Sequence, residues 1–206
     1  ILKKIRHLGW VKKCVFLSSG FTYGNTQNLP AKETEPQVPA SPYAIAKINI
    51  ENYVKFYNKS FGIPYVTLRY SAIYGPRQVT GALSDYIRQL ASDKQAEMWG
   101  DGNKTRDYVY ISDVVRANLL ALDTPDNHLD PIFNVGTGEE TTLNALYQTT
   151  AKLLNKKAAP IYYPDRPGEQ MRYCLDNSKI KRDLGWSPEI SVKEGLRLTL
   201  KSKNLL

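Results

Sequence analysis

The sequence is poor in the residues that form metal sites and disulfide frameworks. Its 206 residues include two cysteines, Cys14 and Cys174, and two histidines, His7 and His128. Two cysteines without CxxC spacing exclude a disulfide scaffold and a cysteine zinc site, and two histidines argue against a histidine-rich zinc site. We therefore expect no bound metal and a reducing, cytoplasmic compartment.

Long hydrophobic runs are also missing. The longest strand-like apolar stretch, residues 14–17, is far shorter than a membrane span. The chain starts at Ile1 without the basic and apolar regions that make up a signal peptide. We expect no membrane partner.

Positive charge is in excess, but it is not concentrated. The net charge is +8 at pH 7, and the longest basic runs are short pairs such as Lys3-Lys4, Lys12-Lys13 and Lys156-Lys157. A polyanion partner is one interpretation, and a solvated surface, which we favour, is another. A third is a small anionic substrate such as a nucleotide diphosphate. We expect no nucleic-acid partner.

Strand and helix patterns alternate along the chain. Apolar residues make up 42% of it and charged residues 23%, which indicates a globular domain rather than disorder. A strand is predicted over 13–17, and a helix follows from the N-cap Ser41 and Pro42 to Gly62. The next strand is predicted over 65–70. This order predicts an α/β unit with parallel strands.

Further elements are predicted on both sides of this unit. Helices are expected over 1–8, 83–91, 112–122 and 143–154. A short helix is expected to end at Gly185, and a last helix to begin at Ser191, which forms a capping-box pair with Glu194. A strand is expected over 132–135 and a hairpin-like stretch over 100–102. The long helix carries an apolar stripe, made of Ala46, Ile50, Tyr53, Val54, Tyr57 and Phe61.

Tyr43 and Lys47 are candidates for proton-transfer chemistry. They lie four residues apart on the predicted helix and therefore share a face. The lysine ammonium and the positive end of the helix dipole favour a phenolate, which can act as a general base. The alternative is a surface tyrosine packed on a lysine stem.

Ser18 and Ser19 follow the first predicted strand. In open α/β sheets, ligands bind beyond the carboxyl ends of the strands. A hydroxyl there would share one crevice with Tyr43 and Lys47, so that a donor, a base and a charge come together. The alternative is that the serines only cap a turn.

Ordered motifs run through nearly the whole chain. They are residues 16–24 (FLSSGFTYG), 41–47 (SPYAIAK), 68–70 (LRY), 74–78 (YGPRQ), 99–102 (WGDG), 105–110 (TRDYVY), 113–114 (DV), 133–138 (FNVGTG), 166–169 (RPGE), 184–186 (LGW) and 194–195 (EG). Each is short, but the ordered set resembles the extended short-chain dehydrogenase/reductase family, and within it the UDP-sugar 4-epimerases. The resemblance implies a Rossmann-type fold, NAD as cofactor and a nucleotide-sugar substrate.

The resemblance also implies catalytic and cofactor-binding roles. Tyr43 is the base that takes a proton from a sugar hydroxyl, and Lys47 supports it and holds the nicotinamide ribose. Ser19 bonds the reacting oxygen, while Ser18 is the neighbouring candidate and is expected at the cofactor. Tyr70 is expected near the nicotinamide.

Substrate-binding roles follow from the same resemblance. Arg106 and Arg166 would clamp the diphosphate, which suits the forked donors of arginine, although surface ion pairing is the alternative. Trp99 is expected beside the uracil and Glu169 at the nucleotide ribose. Tyr173 is expected to border the C2 group of the sugar, where its bulk favours UDP-glucose and UDP-galactose over their N-acetylamino forms.

The sequence departs mildly from the family pattern at Ala44 and Ala46 of the helix motif, and at three further positions that bear on the substrate and the reaction. Ala72 stands where an asparagine usually contacts the sugar nucleotide, which leaves that substrate contact in doubt. Gly20 and Phe21 stand where the related 4,6-dehydratases carry an Asp-Glu pair. Because dehydration needs that acid and base, these two residues argue against it.

No glycine-rich G-x-x-G-x-x-G turn follows an N-terminal strand. We therefore expect a fragment: the C-terminal part of a Rossmann-type doubly wound parallel sheet plus a small α/β substrate-binding lobe. Residues 1–78 with 107–138 are assigned to the NAD-binding domain, and 79–106 with 139–206 to the nucleotide-sugar lobe. The fragment alone is expected to be inactive, with at most weak UDP affinity.

The predicted function is NAD-dependent epimerisation of a UDP-sugar at C4 through a 4-keto intermediate, which interconverts UDP-glucose and UDP-galactose. The resemblance implies a homodimer that pairs through the Tyr43 helix. Two alternatives stay open. One is another reductase, decarboxylase or epimerase of the same family, and the other is a non-catalytic nucleotide-sugar-binding remnant.

Overall fold

The computed structural model describes residues 1–124, 131–157, 159–166 and 169–206. His128 and the Pro167-Gly168 part of the RPGE motif lie outside these residues. The helices are α1 (Leu2–Ile5), α2 (Pro42–Phe61), α3 (Ala82–Ala91), α4 (Ile111–Leu122), α5 (Leu143–Leu153), α6 (Ser178–Leu184) and α7 (Val192–Ser202), with a 3-10 helix over Gly20–Tyr23. The strands are β1 (Cys14–Ser19), β2 (Tyr65–Tyr70), β3 (Ala72–Tyr74), β4 (Glu97–Trp99), β5 (Thr105–Arg106), β6 (Tyr108–Tyr110), β7 (Ile132–Val135), β8 (Thr141–Thr142) and β9 (Ile161–Tyr163).

The central sheet has the strand order β1-β2-β7, and both pairings are parallel. Its register pairs Ser19 with Tyr70, and Tyr70 with Val135. The carboxyl ends of the three strands therefore lie level at one edge of the sheet, where ligands bind in folds of this class. The predicted α/β class with parallel strands is confirmed.

Helix α2 begins and ends where its sequence signals predict. The Ser41 hydroxyl accepts a hydrogen bond from the backbone of Ala44 at 3.2 Å, Pro42 occupies the first turn, and Gly62 ends the helix with φ of 65°. Its apolar stripe is not its buried face, because α2 buries only Ala44, Glu51 and Val54. Most of the stripe is exposed, since the helix turns small and paired polar residues toward the sheet.

The second part of the fold is built from short strand pairs. Strand β3 pairs with β6 and β4 with β9, both in parallel, while β5 pairs with β8 in antiparallel orientation. The hairpin predicted at 100–102 is therefore wrong, because β4 and β5 find their partners elsewhere in the chain. Each of these strands is only two or three residues long, too short for a periodic sequence signal.

The two larger hydrophobic cores of the described residues are distinct. One joins α3, α5 and α7 with Tyr74, Tyr108 and Tyr110, and the other lies on the central sheet. Ile180 and Trp186, from α6 and the residues after it, belong to the sheet core. The division of the chain into two domains stays a prediction.

The first predicted helix is much shorter than expected. It spans Leu2–Ile5 instead of 1–8, has no side-chain cap and buries none of its residues. A short helix without tertiary packing gains too little to extend. Within the described part of the chain, no helix is both long and apolar enough to cross a membrane. The same residues hold no cluster of three or more His, Cys, Asp or Glu that could bind a metal ion.

Candidate active site

Tyr43 and Lys47 stand together beside the end of β1. Tyr43 lies in the first turn of α2 and is 53% exposed. Lys47 donates a hydrogen bond from Nζ to the Leu17 carbonyl at 2.8 Å, and the same Nζ lies 5.6 Å from the centroid of the Tyr43 ring. A solvent-accessible phenol and a fixed cation are therefore neighbours.

Ser19 is the last residue of β1. It is 5% exposed, and its Oγ accepts a hydrogen bond from the backbone N–H of Phe21 at 3.2 Å. This bond caps the 3-10 helix, as the alternative interpretation expects. Among the described residues no group accepts the Ser19 hydroxyl proton, so that proton is available to a ligand.

Ser18 points into a buried polar network instead. Its hydroxyl donates to Glu51 Oε1 at 2.5 Å, and Glu51 is paired with Arg69. Arg69 also donates to the hydroxyl of Tyr23 at 2.8 Å. Burial alone raises the pKa of Glu51, but the hydrogen bonds and charge of Arg69 outweigh burial and lower it. The Ser18 hydroxyl is thus engaged in holding α2 to the sheet.

Tyr70 and Tyr173 are buried beneath the crevice. The Tyr70 hydroxyl donates to Asn118 Oδ1 at 2.9 Å, and burial raises the pKa of Tyr70 to about 12. The Tyr173 hydroxyl donates to the backbone carbonyl of Tyr70 at 2.8 Å, and Tyr173 is only 2% exposed. Neither phenol lines a described cavity, although sequence analysis places both at ligands.

The Phe21 ring packs on the ring of Tyr173. The two rings are stacked with centroids 4.9 Å apart and planes 11° apart. Phe21 also meets the Tyr43 ring edge-on, with 6.3 Å between centroids. The residue that borders the crevice is therefore Phe21.

A cavity of about 470 Å³ opens beside these residues. Its lining includes Phe21, Ala72, Trp99, Arg106, Arg166 and Glu169. The size falls in the usual range for small-molecule sites. Five of the predicted substrate-binding residues therefore line one cavity: Ala72, Trp99, Arg106, Arg166 and Glu169. Ser19 and Tyr173 do not line it.

Aromatic and cationic groups lie together in this cavity. The guanidinium of Arg166 lies 4.3 Å from the centroid of the Trp99 ring, and that ring stacks on Tyr163 at 5.1 Å. Arg106 is held by the backbone carbonyls of Thr105 and Gln170, at 2.6 and 2.9 Å. A stacking platform next to two guanidinium groups suits a base joined to phosphate groups.

Glu169 has a partner that sequence analysis missed. The ammonium of Lys104 lies 2.5 Å from Glu169 Oε2 and 2.6 Å from Asp165 Oδ1, and Lys104 is 1% exposed. Burial lowers the pKa of Lys104, but the two carboxylates outweigh burial and raise it. Lys104 therefore fixes the side chain of Glu169 at the cavity wall. No signal in the WGDG and TRDY motifs that flank Lys104 marks it as buried.

Glu51 could have been found from the sequence. It lies four residues after Lys47 and eight after Tyr43, so all three share one face of α2. A lone acid on the face that meets the sheet needs a buried partner. Arg69 of the LRY motif is that partner.

The family comparisons agree with these motifs. Residues 1–136 match the family model described as "NAD dependent epimerase/dehydratase family". A protein of Methanocaldococcus jannaschii named "Putative UDP-glucose 4-epimerase" is 42% identical over 192 residues, which is 91% of this chain and 61% of that protein. The UDP-glucose 4-epimerase of Mycolicibacterium smegmatis is 33% identical, over 97% of this chain and 64% of its own length. The chain thus spans somewhat over three-fifths of the length of these curated relatives.

Solved structures show the same fold. The UDP-glucose 4-epimerase of Thermotoga maritima with UDP-glucose superposes with a TM-score of 0.93 at 39% identity, over 98% of this chain and 66% of that one. The UDP-glucuronic acid 4-epimerase of Bacillus cereus, in complex with UDP-glucuronic acid and NAD, has a TM-score of 0.92 at 32% identity, over 100% and 65%. The predicted Rossmann-type fold and family resemblance are confirmed, and the chain belongs to the NAD dependent epimerase/dehydratase family.

Proposed function

We propose that this chain carries the catalytic helix and the nucleotide-sugar site of an NAD-dependent UDP-sugar 4-epimerase, with UDP-glucose and UDP-galactose as its substrates. The observation that carries the proposal is the Tyr43–Lys47 pair, 5.6 Å apart from ring centroid to Nζ, beside the carboxyl end of β1. The relatives named as UDP-glucose 4-epimerases support the substrate class.

The residues of this chain would handle the proton and the charge. Tyr43, as phenolate, would take the proton of the sugar C4 hydroxyl and return it to the C4 oxygen when the 4-keto sugar, after turning over, is reduced from its other face. Lys47, fixed on Leu17, would stabilise the phenolate by its positive charge. The Ser19 hydroxyl would donate a hydrogen bond to the C4 oxygen.

The site fits NAD at its nicotinamide ribose. Lys47 uses one of its three donors on Leu17, so the others can reach a ribose hydroxyl, and the Tyr43 hydroxyl is exposed beside it. NAD, when bound, supplies the acceptor and donor of the hydride. The described geometry gives the hydroxyls of Ser18 and Tyr70 protein partners, so we propose cofactor contact for Tyr43 and Lys47 alone.

The nucleotide would occupy the 470 Å³ cavity. Trp99 would stack on the uracil, and Arg106 and Arg166 would bind the diphosphate. Glu169 would accept a hydrogen bond from the ribose, in the orientation set by Lys104.

Dehydration is the competing reaction among the relatives, which include dTDP-D-glucose 4,6-dehydratases. It needs an acid and a base besides Tyr43. Gly20 carries no side chain, and Phe21 has no group that can transfer a proton. We therefore propose epimerisation over dehydration.

Product analysis tests this function. A full-length, NAD-loaded version of the enzyme is incubated separately with UDP-galactose, UDP-N-acetylglucosamine and dTDP-glucose, and the products are identified by chromatography and NMR. UDP-glucose formed from UDP-galactose without net change in NADH supports the proposal. A 4-keto-6-deoxy sugar, or a reduced product formed with loss of NADH, would overturn it.

We also infer a cytosolic homodimer that pairs through α2. The exposed side of this helix carries Ile45, Ile50 and Phe56, which are 49%, 39% and 57% exposed. An apolar helix face of this kind suits burial against a second copy. Cys14 and Cys174 are free thiols, in keeping with a reducing compartment. Light scattering of wild type and Phe56→Glu tests the dimer: we expect the variant to be monomeric.

A further inference from the structure

Asp107 is a buried carboxylate that the proposed function does not use. It lies between β5 and β6, directly after Arg106, and it is fully buried. Its Oδ1 accepts hydrogen bonds from the backbone N–H and the hydroxyl of Thr137, at 2.8 and 2.7 Å. Its Oδ2 accepts from the backbone N–H groups of Gly138 and Leu175, at 3.3 and 3.2 Å. One carboxylate therefore gathers three backbone N–H groups and one hydroxyl at a single point.

These bonds join Asp107 to segments that are distant in sequence. Residues 137–138 belong to the turn after β7, and Leu175 lies in the segment that follows the nucleotide cavity. The turn comes close because Gly136 has no side chain, and a methyl group there would collide with the Asp107 carboxylate. The backbone carbonyl of Asp107 also accepts from the N–H of Ala72 at 2.8 Å. Asp107 is thus fixed through both its side chain and its backbone.

The fixed backbone is the one that carries Arg106. Neighbouring residues of an extended segment turn their side chains in opposite directions. Asp107 accordingly faces the buried turn, whereas Arg106 lines the cavity of about 470 Å³. The carbonyls of Thr105 and Gln170 hold the guanidinium at its far end. The position of the guanidinium in the cavity therefore depends on the Asp107 carboxylate as well.

The bonds at position 107 require two acceptor oxygens. Burial raises the pKa of Asp107, whereas its hydrogen bonds oppose that rise. An asparagine has one acceptor oxygen, and its amide N–H groups would meet the N–H groups of Thr137 or of Gly138 and Leu175. A buried donor without an acceptor costs free energy. The chain thus holds a carboxylate where an amide of the same size cannot make the same bonds.

We propose that Asp107 is a positioning residue for the nucleotide site: it fixes the backbone of Arg106 so that the guanidinium meets the diphosphate. This rests on the proposed function, which places the diphosphate at Arg106, and it adds the residue that sets the geometry of that contact. Because the effect passes through Arg106, losing Asp107 weakens the binding of a diphosphate and spares the binding of a nucleoside.

The test compares the affinities of UDP and uridine in a full-length, NAD-loaded version of the enzyme. UDP is titrated by calorimetry, and uridine, which lacks the diphosphate, by ligand-observed NMR. Asp107→Asn should raise the dissociation constant for UDP by at least about tenfold and that for uridine by less than about threefold, because coupling within one hydrogen-bond network reaches this size. Asp123→Asn, at an exposed aspartate that does not line the cavity, is the matched control and should change neither constant.

Two further variants show whether the effect passes through the arginine. In an Arg106→Ala background, Asp107→Asn should change the UDP dissociation constant by less than about threefold, because no guanidinium remains to be positioned. Thr137→Val removes one donor to Asp107 and keeps the shape of the side chain. It should raise the UDP constant by about two- to tenfold and leave the uridine constant unchanged. Thermal unfolding verifies that each variant is folded, and Thr137→Val decides the question if Asp107→Asn does not fold.

The outcomes separate this inference from the epimerase proposal. Equal losses of UDP and uridine affinity in Asp107→Asn, or the same loss with and without Arg106, would overturn the role of Asp107. Unchanged UDP affinity in folded Thr137→Val would overturn it too. If the enzyme does not convert UDP-galactose but the variants show the expected affinities, the epimerase proposal fails and the role of Asp107 stands. If conversion occurs and folded Asp107→Asn binds UDP like wild type, the role of Asp107 alone fails.

Discussion

Glu51 on α2 and Arg69 on β2 form a buried, two-pronged ion pair, with Nε–Oε1 at 3.0 Å and Nη2–Oε2 at 2.7 Å. The side chains are 1% and 3% exposed. Ser18 adds a hydrogen bond from β1 to the same carboxylate. One carboxylate therefore ties the helix that carries Tyr43 to the strand that carries Ser19, and it sets the distance between them.

Replacing Glu51 should cost far more than replacing an exposed glutamate. Glu51→Gln leaves the Arg69 charge buried without its counter-charge, and we expect the free energy of unfolding to fall by about 3 to 5 kcal/mol. Glu189→Gln is the control, because Glu189 is 65% exposed and its ion pair with Arg116 is worth about 0 to 1 kcal/mol. Urea unfolding at pH 7 measures both. Equal losses for the two variants would contradict the role of Glu51.

The same pair makes stability depend on pH in a defined direction. The pKa of Glu51 is lowered in the folded chain relative to the ordinary value of 4.5. A lowered carboxyl pKa adds stability above the unfolded value, and this stability is lost as the pH falls through the folded value. The difference in stability between wild type and Glu51→Gln should therefore be complete at pH 7 and shrink below pH 4.5. A difference that grows on acidification would show the opposite sign of shift.

Removing the proposed base should reduce turnover without unfolding the protein. Tyr43→Phe deletes one exposed hydroxyl, so its thermal stability should match that of wild type. In a full-length, NAD-loaded version of the enzyme, kcat should fall by about 10²- to 10⁴-fold, the usual contribution of general acid–base catalysis. Tyr53→Phe, at a 63% exposed tyrosine on the same helix, is the matched control and should keep wild-type kcat. Turnover of Tyr43→Phe within threefold of wild type would reject Tyr43 as the base.

Lys104 should support UDP binding although its own side chain is buried. Lys104→Met removes the cation between Asp165 and Glu169 and leaves two carboxylates near each other. Because both carboxylates keep access to water, we expect a stability loss of only about 1 to 2 kcal/mol. The affinity for UDP should also fall, since Glu169 loses its fixed position. Lys94→Met, at an exposed lysine, should change neither quantity. Unchanged UDP affinity in Lys104→Met would show that Glu169 needs no such support.

Trp99 should supply much of the affinity for the base. Trp99→Ala removes the ring that contacts Arg166 and Tyr163, and base–aromatic stacking is worth about 1 to 3 kcal/mol. The dissociation constant for UDP, measured by calorimetry on the 206-residue chain, should rise by about 5- to 150-fold. Trp10→Ala is the control, because Trp10 is 74% exposed and lines no described cavity. Equal effects of the two variants would place the uracil elsewhere.

The sequence by itself determined the elements whose signals are local. Ser41, Pro42 and Gly62 set the bounds of α2 through capping and backbone preference, and the strand over 65–70 was predicted at its full length. The order of strand and helix predicted the parallel sheet, and the spacing of Tyr43 and Lys47 predicted that they would be neighbours. Each of these signals acts over a few residues, so the sequence displays it directly.

Tertiary structure alone decided which side chains face the ligand. The hydroxyls of Ser18 and Tyr70 find partners more than thirty residues away in sequence, at Glu51 and Asn118. Phe21 covers Tyr173, and Lys104 lies between two carboxylates of a distant segment. These arrangements depend on contacts that only packing creates. A sequence motif shows which residue occupies a position. The direction of its side chain depends on the buried polar groups with which it can pair, and these come together only in the folded chain.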